Sequence, residues 1–281
     1  MTKAQKLAGI VDRYAYDGCM IKIVRTQDEL QAAVAGWKSA GETVGFVPTM
    51  GALHAGHMSL VELAVERADR VVVSIFVNPT QFLPHEDFDS YPRNEAADVA
   101  QLEATGADLV YVPVTENLYP DGASRDILAG PAADGLETDF RPGFFDGVVS
   151  VVSRLFDHVK PDFAVFGEKD YQQLAVIREK FPSLEIVGGP IVRDAFGLAL
   201  SSRNAYFSEA GLAVARQLNK VLFALADDMR AGGDADDLIA AAKEAILAAG
   251  FESIDYLAVR GDRLLVAAHL NGVRLIDNVG V

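Results

Sequence analysis

The sequence predicts an α/β fold, a doubly wound parallel sheet followed by a second, smaller α+β C-terminal domain, and three observations carry that prediction. Apolar, β-branched runs recur over the first two-thirds of the chain, at 43–49 (TVGFVPT), 70–77 (RVVVSIFV), 107–114 (ADLVYVPV), 161–167 (PDFAVFG) and 184–192 (LEIVGGPIV). Helix-like stretches separate several of them, including 57–68 and 94–106. Beyond about residue 193 the pattern changes to a long Ala- and Asp-rich helical region, 208–250, and then to two strand-like runs, FESIDYLAVRG and VRLIDNVGV.

Runs that are apolar without alternation suit strands buried on both faces, as in a parallel sheet covered by helices on each side. Within 57–68, Leu60, Leu63, Ala64 and Arg67 recur at spacings of three and four while Glu62 and Glu66 fall on another face, which is the helical period. The stretch AGGDADD (231–237) reads as a turn between two helices. We therefore expect an N-terminal extension over 1–19, a larger domain over 20–191 and a smaller one over 192–281.

Composition narrows the function classes. The chain has 281 residues, half of them apolar, with 40 acidic and 25 basic side chains for a formal charge of −15. That balance argues against diffuse binding of nucleic acid or anionic membrane, but leaves room for a small anion in a local basic pocket. The only cysteine, Cys19, excludes an intramolecular disulfide. The first nineteen residues contain no apolar segment of signal-peptide length, and no run of about 18 apolar residues suggests a membrane span. A cytoplasmic protein is the expectation.

In doubly wound sheets ligands sit beyond the carboxyl ends of the strands, so the segments VPTMG, VNPTQF and FGEKD belong to the functional edge. The first continues as VPTMGALHAGHMSL (47–60), in which a glycine-bearing turn leads into a helix expected to start near His57. Free backbone N–H groups at such a helix start attract phosphate, and Gly51 and Gly56 permit close approach to the backbone. His54 and His57 would project on similar sides and donate charge-assisted hydrogen bonds to phosphate oxygens. By itself the pair would serve equally as a helix cap, and as a metal site it lacks a third ligand at matching spacing.

The second segment, VFGEKDYQQL, repeats the strand-turn-helix pattern and brings Lys169 to the same edge, with Gln172 and Gln173 in the following helix. LSSRN (200–204) adds two serine hydroxyls and Arg203, whose guanidinium can grip phosphate in a bidentate manner. Gln81, in VNPTQF, offers an amide suited to a hydroxyl or carboxylate. The chain contains neither a P-loop nor a GxGxxG after its first strand.

Taken in order, PTMGALHAGHMSLV, FVNPTQF, FGEKDYQQL, GLALSSRN and RLIDN resemble the pantoate–β-alanine ligases of the HIGH-motif nucleotidyltransferase superfamily, over roughly residues 21–278. The resemblance implies a Rossmann-like N-terminal domain, a smaller C-terminal domain closing the active site, and a homodimer. It implies ATP-dependent joining of pantoate to β-alanine with Mg²⁺, through a pantoyl adenylate that releases pyrophosphate and then AMP. It also implies an ATP site formed by Met50, Gly51, Ala52, Leu53, His54, Ala55, Gly56 and His57, by Gly167, Glu168, Lys169 and Asp170, and by Val192, Leu200, Ser201, Ser202 and Arg203. Gln81 and Gln173 would hold pantoate, Gln81 also lying near β-alanine, and His57 would be the catalytic proton donor, assisted by His54, Lys169 and Arg203.

The chain departs from the family pattern in places. Phe144 stands where RPGHF has histidine, Phe196 replaces a polar residue before GLA, and the acidic pair after YPR is reduced to Ala97-Asp98, leaving Asp98 and Gln101 as metal candidates. Two other functions stay open at this point. One is a nucleotidyltransferase with a different acceptor, disfavoured by the neutral amides of Gln81 and Gln173. The other is a nucleotide-binding protein impaired in catalysis, suggested by Phe144 and the depleted acidic pair.

Overall fold

The computed structural model describes residues 21–84 and 86–281; the expected extension over 1–19, with Cys19, lies outside the described residues. Six parallel strands form the larger sheet: β1 (Lys22–Val24), β2 (Val44–Thr49), β3 (Arg70–Ile75), β4 (Leu109–Tyr111), β5 (Phe163–Gly167) and β6 (Glu185–Gly189), in spatial order β1-β4-β3-β2-β5-β6. The chain first winds outward from β2 through β3 and β4, then returns to the other side of β2 to lay down β5 and β6. Between β2 and β5 the winding direction reverses, and the carboxyl ends of those two strands flank the crevice where doubly wound sheets bind ligands.

Side chains alternate between the two faces of each strand, and both faces are buried. Phe46, Val72, Tyr111 and Phe166 pack beneath α1 (Gln27–Ser39), α4 (Phe144–Val159) and α5 (Tyr171–Lys180). Val47, Val73, Val110 and Val165 pack against α2 (Ala55–Arg67) and α3 (Glu95–Glu103) through Leu60, Val61, Ala64 and Leu102. This two-sided burial is why the strands read as continuous apolar runs. The sequence-based bounds hold to within a few residues for β2 to β6, but β1 and α4 had not been anticipated. β1 is only three residues, two of them exposed, and α4 is buried along most of its surface, with a narrow polar stripe of Asp146, Ser150, Ser153, Arg154 and Asp157.

In the C-terminal part, α6 (Glu209–Arg230) and α7 (Ala235–Ala248) are separated by the turn expected at 231–237 and lie on an antiparallel sheet of β7 (Ser253–Arg260), β8 (Arg263–Leu270) and β9 (Val273–Gly280). β8 had also gone unread; it is the central strand, apolar on both faces, so it carries no alternation. One face of this sheet packs on α6 and α7 through Leu257, Leu264, Val266 and Leu275. The other face turns Tyr256, Leu265 and Ala267 toward Leu136 and Tyr171 of the larger part. Two packed layers thus meet along a cleft at the carboxyl end of the parallel sheet. Among the described residues no helix is long and apolar enough to cross a membrane.

Candidate active site at the crossover of the parallel sheet

The turn after β2 is built by local hydrogen bonds. Thr49 donates its hydroxyl to Ser74 O (2.7 Å) and accepts from Gly51 N–H (3.2 Å), and the chain passes through left-handed conformations at Gly51 (φ 80°) and Ala52 (φ 49°). Asp98, 3% exposed on α3, takes Ala52 N–H on one oxygen (2.9 Å) and Leu53 N–H on the other (2.7 Å). Gln101, one turn further along α3, donates to Leu53 O (3.1 Å). Neither residue is disposed as an open metal ligand, and among the described residues no three His, Cys, Asp or Glu side chains converge as a metal cage.

α2 starts at Ala55, two residues before the position expected from the sequence, because His54 is its N-cap. The His54 Nδ1 accepts from Gly56 N–H (3.1 Å), and the His57 Nδ1 accepts from His54 N–H (3.3 Å). The rings lie 4.1 Å apart. A Cβ on Gly56 would meet the His54 ring at 2.9 Å, so glycine is what lets the ring fold over the helix end.

With both Nδ1 atoms accepting, each ring carries its proton on Nε2. Burial, with Lys169 as a lesser cause, pushes His54 down to about 4; burial, the neighbouring His54 and Lys169 push His57 down to about 3. Both rings are therefore neutral at pH 7. In the free protein the imidazoles are thus neutral N–H donors, where the sequence suggests charge-assisted ones, and the cation beside them is Lys169.

Lys169 sits on a single 3-10 turn, Glu168–Asp170, at the end of β5. Its ammonium makes no ion pair among the described residues and lines the same cleft as His57. The turn's backbone is fixed from β9: Asn278 donates Nδ2 to Glu168 O (2.9 Å) and to Lys169 O (3.0 Å), while Arg263 pairs with Glu168 (3.0 Å). Asp277 beside it holds Arg193 by two hydrogen bonds of 2.6 and 2.8 Å. The RLIDN segment, which the sequence marks as a strand-like run and as part of a resemblance, thus supports the lysine turn.

Gln81 and Gln173 both face the cleft, whereas Gln172 is buried and serves as a strut, donating to the carbonyls of Ala133 (3.2 Å) and Gly135 (3.1 Å). Gln81 is oriented by Asn78, a residue the sequence reading missed. Asn78 donates Nδ2 to Gln81 Oε1 (3.0 Å) and accepts from Tyr119 OH (2.9 Å), so Gln81 turns its amide N–H₂ toward Met50 and the cleft. The carbonyls of Thr80, Gln81 and Phe82 are each held by an arginine, Arg125 at 2.7 Å, Arg141 at 3.2 Å and Arg125 at 3.2 Å.

Arg203 departs from expectation. Its Nε and one N–H of Nη2 already grip Asp87 (2.9 and 2.7 Å), so one edge of the guanidinium is taken, while Nη1 and the second N–H of Nη2 form the edge left for another anion. Ser202 donates to Ala52 O (3.1 Å) and so fastens the 202–206 turn to the His54 loop, while Ser201 caps that turn by accepting from Arg203 N–H (3.3 Å). Leu200 N–H donates to Val192 O (2.9 Å), and the Leu200 side chain lies against Gly56. Phe144 lines the cleft beneath the Arg141 guanidinium (3.8 Å to the ring centre); Phe196 is 62% exposed under Arg216, away from the cleft.

The cleft, about 770 Å³, is polar along the edge formed by His57, Lys169, Gln81 and Gln173 and apolar along the α4 side at Val148 and Val151. That combination fits a small acid bound beside a polyanion, with neutral amides for the acid and a cation for phosphate.

The model of the pantoate-beta-alanine ligase family matches residues 22–280. The pantothenate synthetase of Rhodospirillum rubrum is 50% identical over 279 residues, covering 93% of this chain and 99% of that protein, and the one from Mesorhizobium japonicum is 50% identical over 277, covering 92% and 98%. Among solved structures, pantothenate synthetase from Thermus thermophilus superposes with a TM-score of 0.85 at 43% identity, covering 92% of this chain and 99% of that one. A pantoate-beta-alanine ligase from Francisella tularensis, complexed with βγ ATP and β-alanine, gives 0.82 at 32% identity, with 92% and 97% covered. Fold, site and sequence agree, and the chain belongs to the pantoate-beta-alanine ligase family, enzymes that join an acid to an amine through a C–N bond.

Proposed function

We propose that this protein condenses pantoate with β-alanine at the expense of ATP, through a pantoyl adenylate, in the cleft at the crossover of its parallel sheet. The observation that carries the proposal is the pairing of two neutral imidazole N–H donors with an ammonium that makes no ion pair among the described residues, at the carboxyl ends of β2 and β5. The nucleotide lies along residues 50–57, 167–170, Val192 and 200–203, segments that come from both sides of the expected division near 191–192.

Pantoate's carboxylate oxygen bonds to the α-phosphorus while the bond to pyrophosphate breaks. Negative charge grows on the phosphate oxygens, where the Nε2–H groups of His54 and His57, Lys169 Nζ and the Nη1/Nη2 edge of Arg203 stabilise it. His57 is neutral in the free protein, and its contribution is a hydrogen bond from Nε2–H. Gln81 and Gln173 orient the hydroxy acid by neutral amides, and the apolar α4 side receives its hydrocarbon part. The β-alanine amine then bonds to the carbonyl carbon, the C–O bond to AMP breaks, and the amine proton leaves. Closure by the antiparallel sheet keeps water from the mixed anhydride.

Mg²⁺ prefers hard oxygen ligands and commonly reaches an active site on substrate phosphates. The side chains implied by the resemblance, Asp98 and Gln101, are engaged with backbone groups and do not fit an ion, so no step is assigned to one. A homodimer in the cytoplasm belongs to the same proposal. Purified protein with pantoate, β-alanine, ATP and Mg²⁺ should form AMP and pyrophosphate, and omission of β-alanine should allow about one pyrophosphate per site. ADP as product, or pyrophosphate release indifferent to pantoate, would refute it.

A further inference from the structure

Asp98 and Gln101 are the residues whose observed contacts depart most from what resemblance implies. Asp98 projects from α3 across to the turn after β2, is almost wholly buried, and spends one oxygen on Ala52 N–H and the other on Leu53 N–H. Its Oδ2 is packed so close to Gly51 that a Cβ there would sit 3.0 Å away. Gln101 completes the grip by donating to Leu53 O. A hydrated Mg²⁺ keeps several waters and octahedral geometry, and a carboxylate enclosed on both oxygens by peptide N–H groups offers neither access nor room.

The turn so held is an unusual piece of backbone. Ala52 is in the left-handed region without being glycine, a conformation that persists only where neighbours fix it. Immediately after it come His54, the cap of α2, and the N–H groups of the helix start. A carboxylate on two consecutive peptide N–H groups, with an amide on the carbonyl that follows them, fixes three groups of one turn in a single orientation.

We propose that Asp98 and Gln101 are positioning residues, a clamp that holds the turn 50–53 in its left-handed form so that His54, His57 and the α2 start face the nucleotide, and that they do not hold a metal ion. The kinetic consequence rests on the nucleotide site proposed above; the backbone consequence does not.

The test uses the full-length protein and the variants Asp98→Asn and Gln101→Met. Asparagine keeps the size but sets an N–H₂ against one of the two peptide N–H groups, and methionine removes the donor to Leu53 O while leaving the carboxylate. Hydrogen exchange should quicken at the amides of residues 51–54 in each variant. Affinity for α,β-methylene-ATP by calorimetry should fall about 10-fold or more in Asp98→Asn, the scale of a lost hydrogen bond to a charged group, with a smaller loss in Gln101→Met.

Titration of the nucleotide-free protein with Mn²⁺, followed by electron paramagnetic resonance, should show no bound ion that depends on Asp98. Mn²⁺ held by the wild type and lost in Asp98→Asn would overturn the proposal. So would unchanged exchange at 51–54 in Gln101→Met, which covers the case of an Asp98→Asn that does not fold. Faster exchange without any effect on pantoate-dependent pyrophosphate release would leave the clamp standing and count against the nucleotide site.

Discussion

His54 does two things in this structure, and one pair of substitutions separates them. Its Nδ1 caps α2 by accepting from Gly56 N–H, which leaves its Nε2–H as the proposed donor to phosphate. His54→Ala removes both. The lost cap costs about 1 kcal/mol of stability, which for a chain of this size lowers Tm by roughly 2–4 °C. The lost donor costs about 3 kcal/mol in the adenylation transition state, or 10²-fold or more in rate. His54→Asn supplies a side-chain oxygen that caps a helix well but is too short to carry a donor to the same place, so Tm should return to within 1 °C while the rate stays down. Differential scanning calorimetry gives the first quantity, and single-turnover pyrophosphate release in a quenched-flow apparatus the second. If His54→Asn recovered rate along with Tm, the ring would be a cap alone and its catalytic assignment would be wrong.

Lys169→Ala should slow adenylate formation by about 10²-fold or more with little change in Tm, since its ammonium makes no ion pair among the described residues; wild-type single-turnover rates would refute its role. Asn278→Ala removes two hydrogen bonds to the lysine turn, and we expect about 1–3 kcal/mol lower stability by urea unfolding together with a reduced kcat. Gln81→Ala should raise the KM for pantoate more than that for ATP, and an equal rise in both would contradict its assignment. Acid should weaken the fold through the histidines. Their folded values lie near 4 and 3, below the ordinary 6.5, so the unfolded chain takes up protons first. The stability they contribute is complete above about pH 6.5 and is lost as pH falls toward 4, by up to about 1.4 kcal/mol per pH unit for each ring; stability constant from pH 7 to 4.5 would show that the rings titrate normally.

Much of the fold could be read from the chain because a parallel sheet buried on both faces leaves uninterrupted apolar runs, and β2 to β6 are such runs. The same criterion failed where length or environment removed the contrast. β1 is too short to show a period, β8 has apolar residues on both faces, and α4 carries a VVSVV run that mimics a strand although Asp146, Ser150, Ser153, Arg154 and Asp157 recur at helical spacing. Within the site, the sequence exposed residues that sit in punctuated loops at strand ends: the two histidines, Lys169 and Gln81. It gave no hint of charge state, because neutral imidazoles result from burial beside Lys169, a residue more than a hundred positions away. Nor did it show that Arg203 is already engaged by Asp87, or that Asp98 reaches back to the turn at 50–53, since both contacts join distant segments. Asn78 was legible in principle, as an Asn-Pro after a strand, but that pattern signals a turn and says nothing of the amide it orients.

A crystal of the protein with ATP and pantoate, or with the pantoyl adenylate they form, tests the central claim most directly. We predict the α-phosphate within hydrogen-bonding distance of the Nε2 atoms of His54 and His57 and of Lys169 Nζ, with the pantoate carboxylate beside it and its hydroxyl groups on Gln81 and Gln173. A triphosphate bound away from the carboxyl ends of β2 and β5, with both imidazoles facing empty solvent, would contradict it.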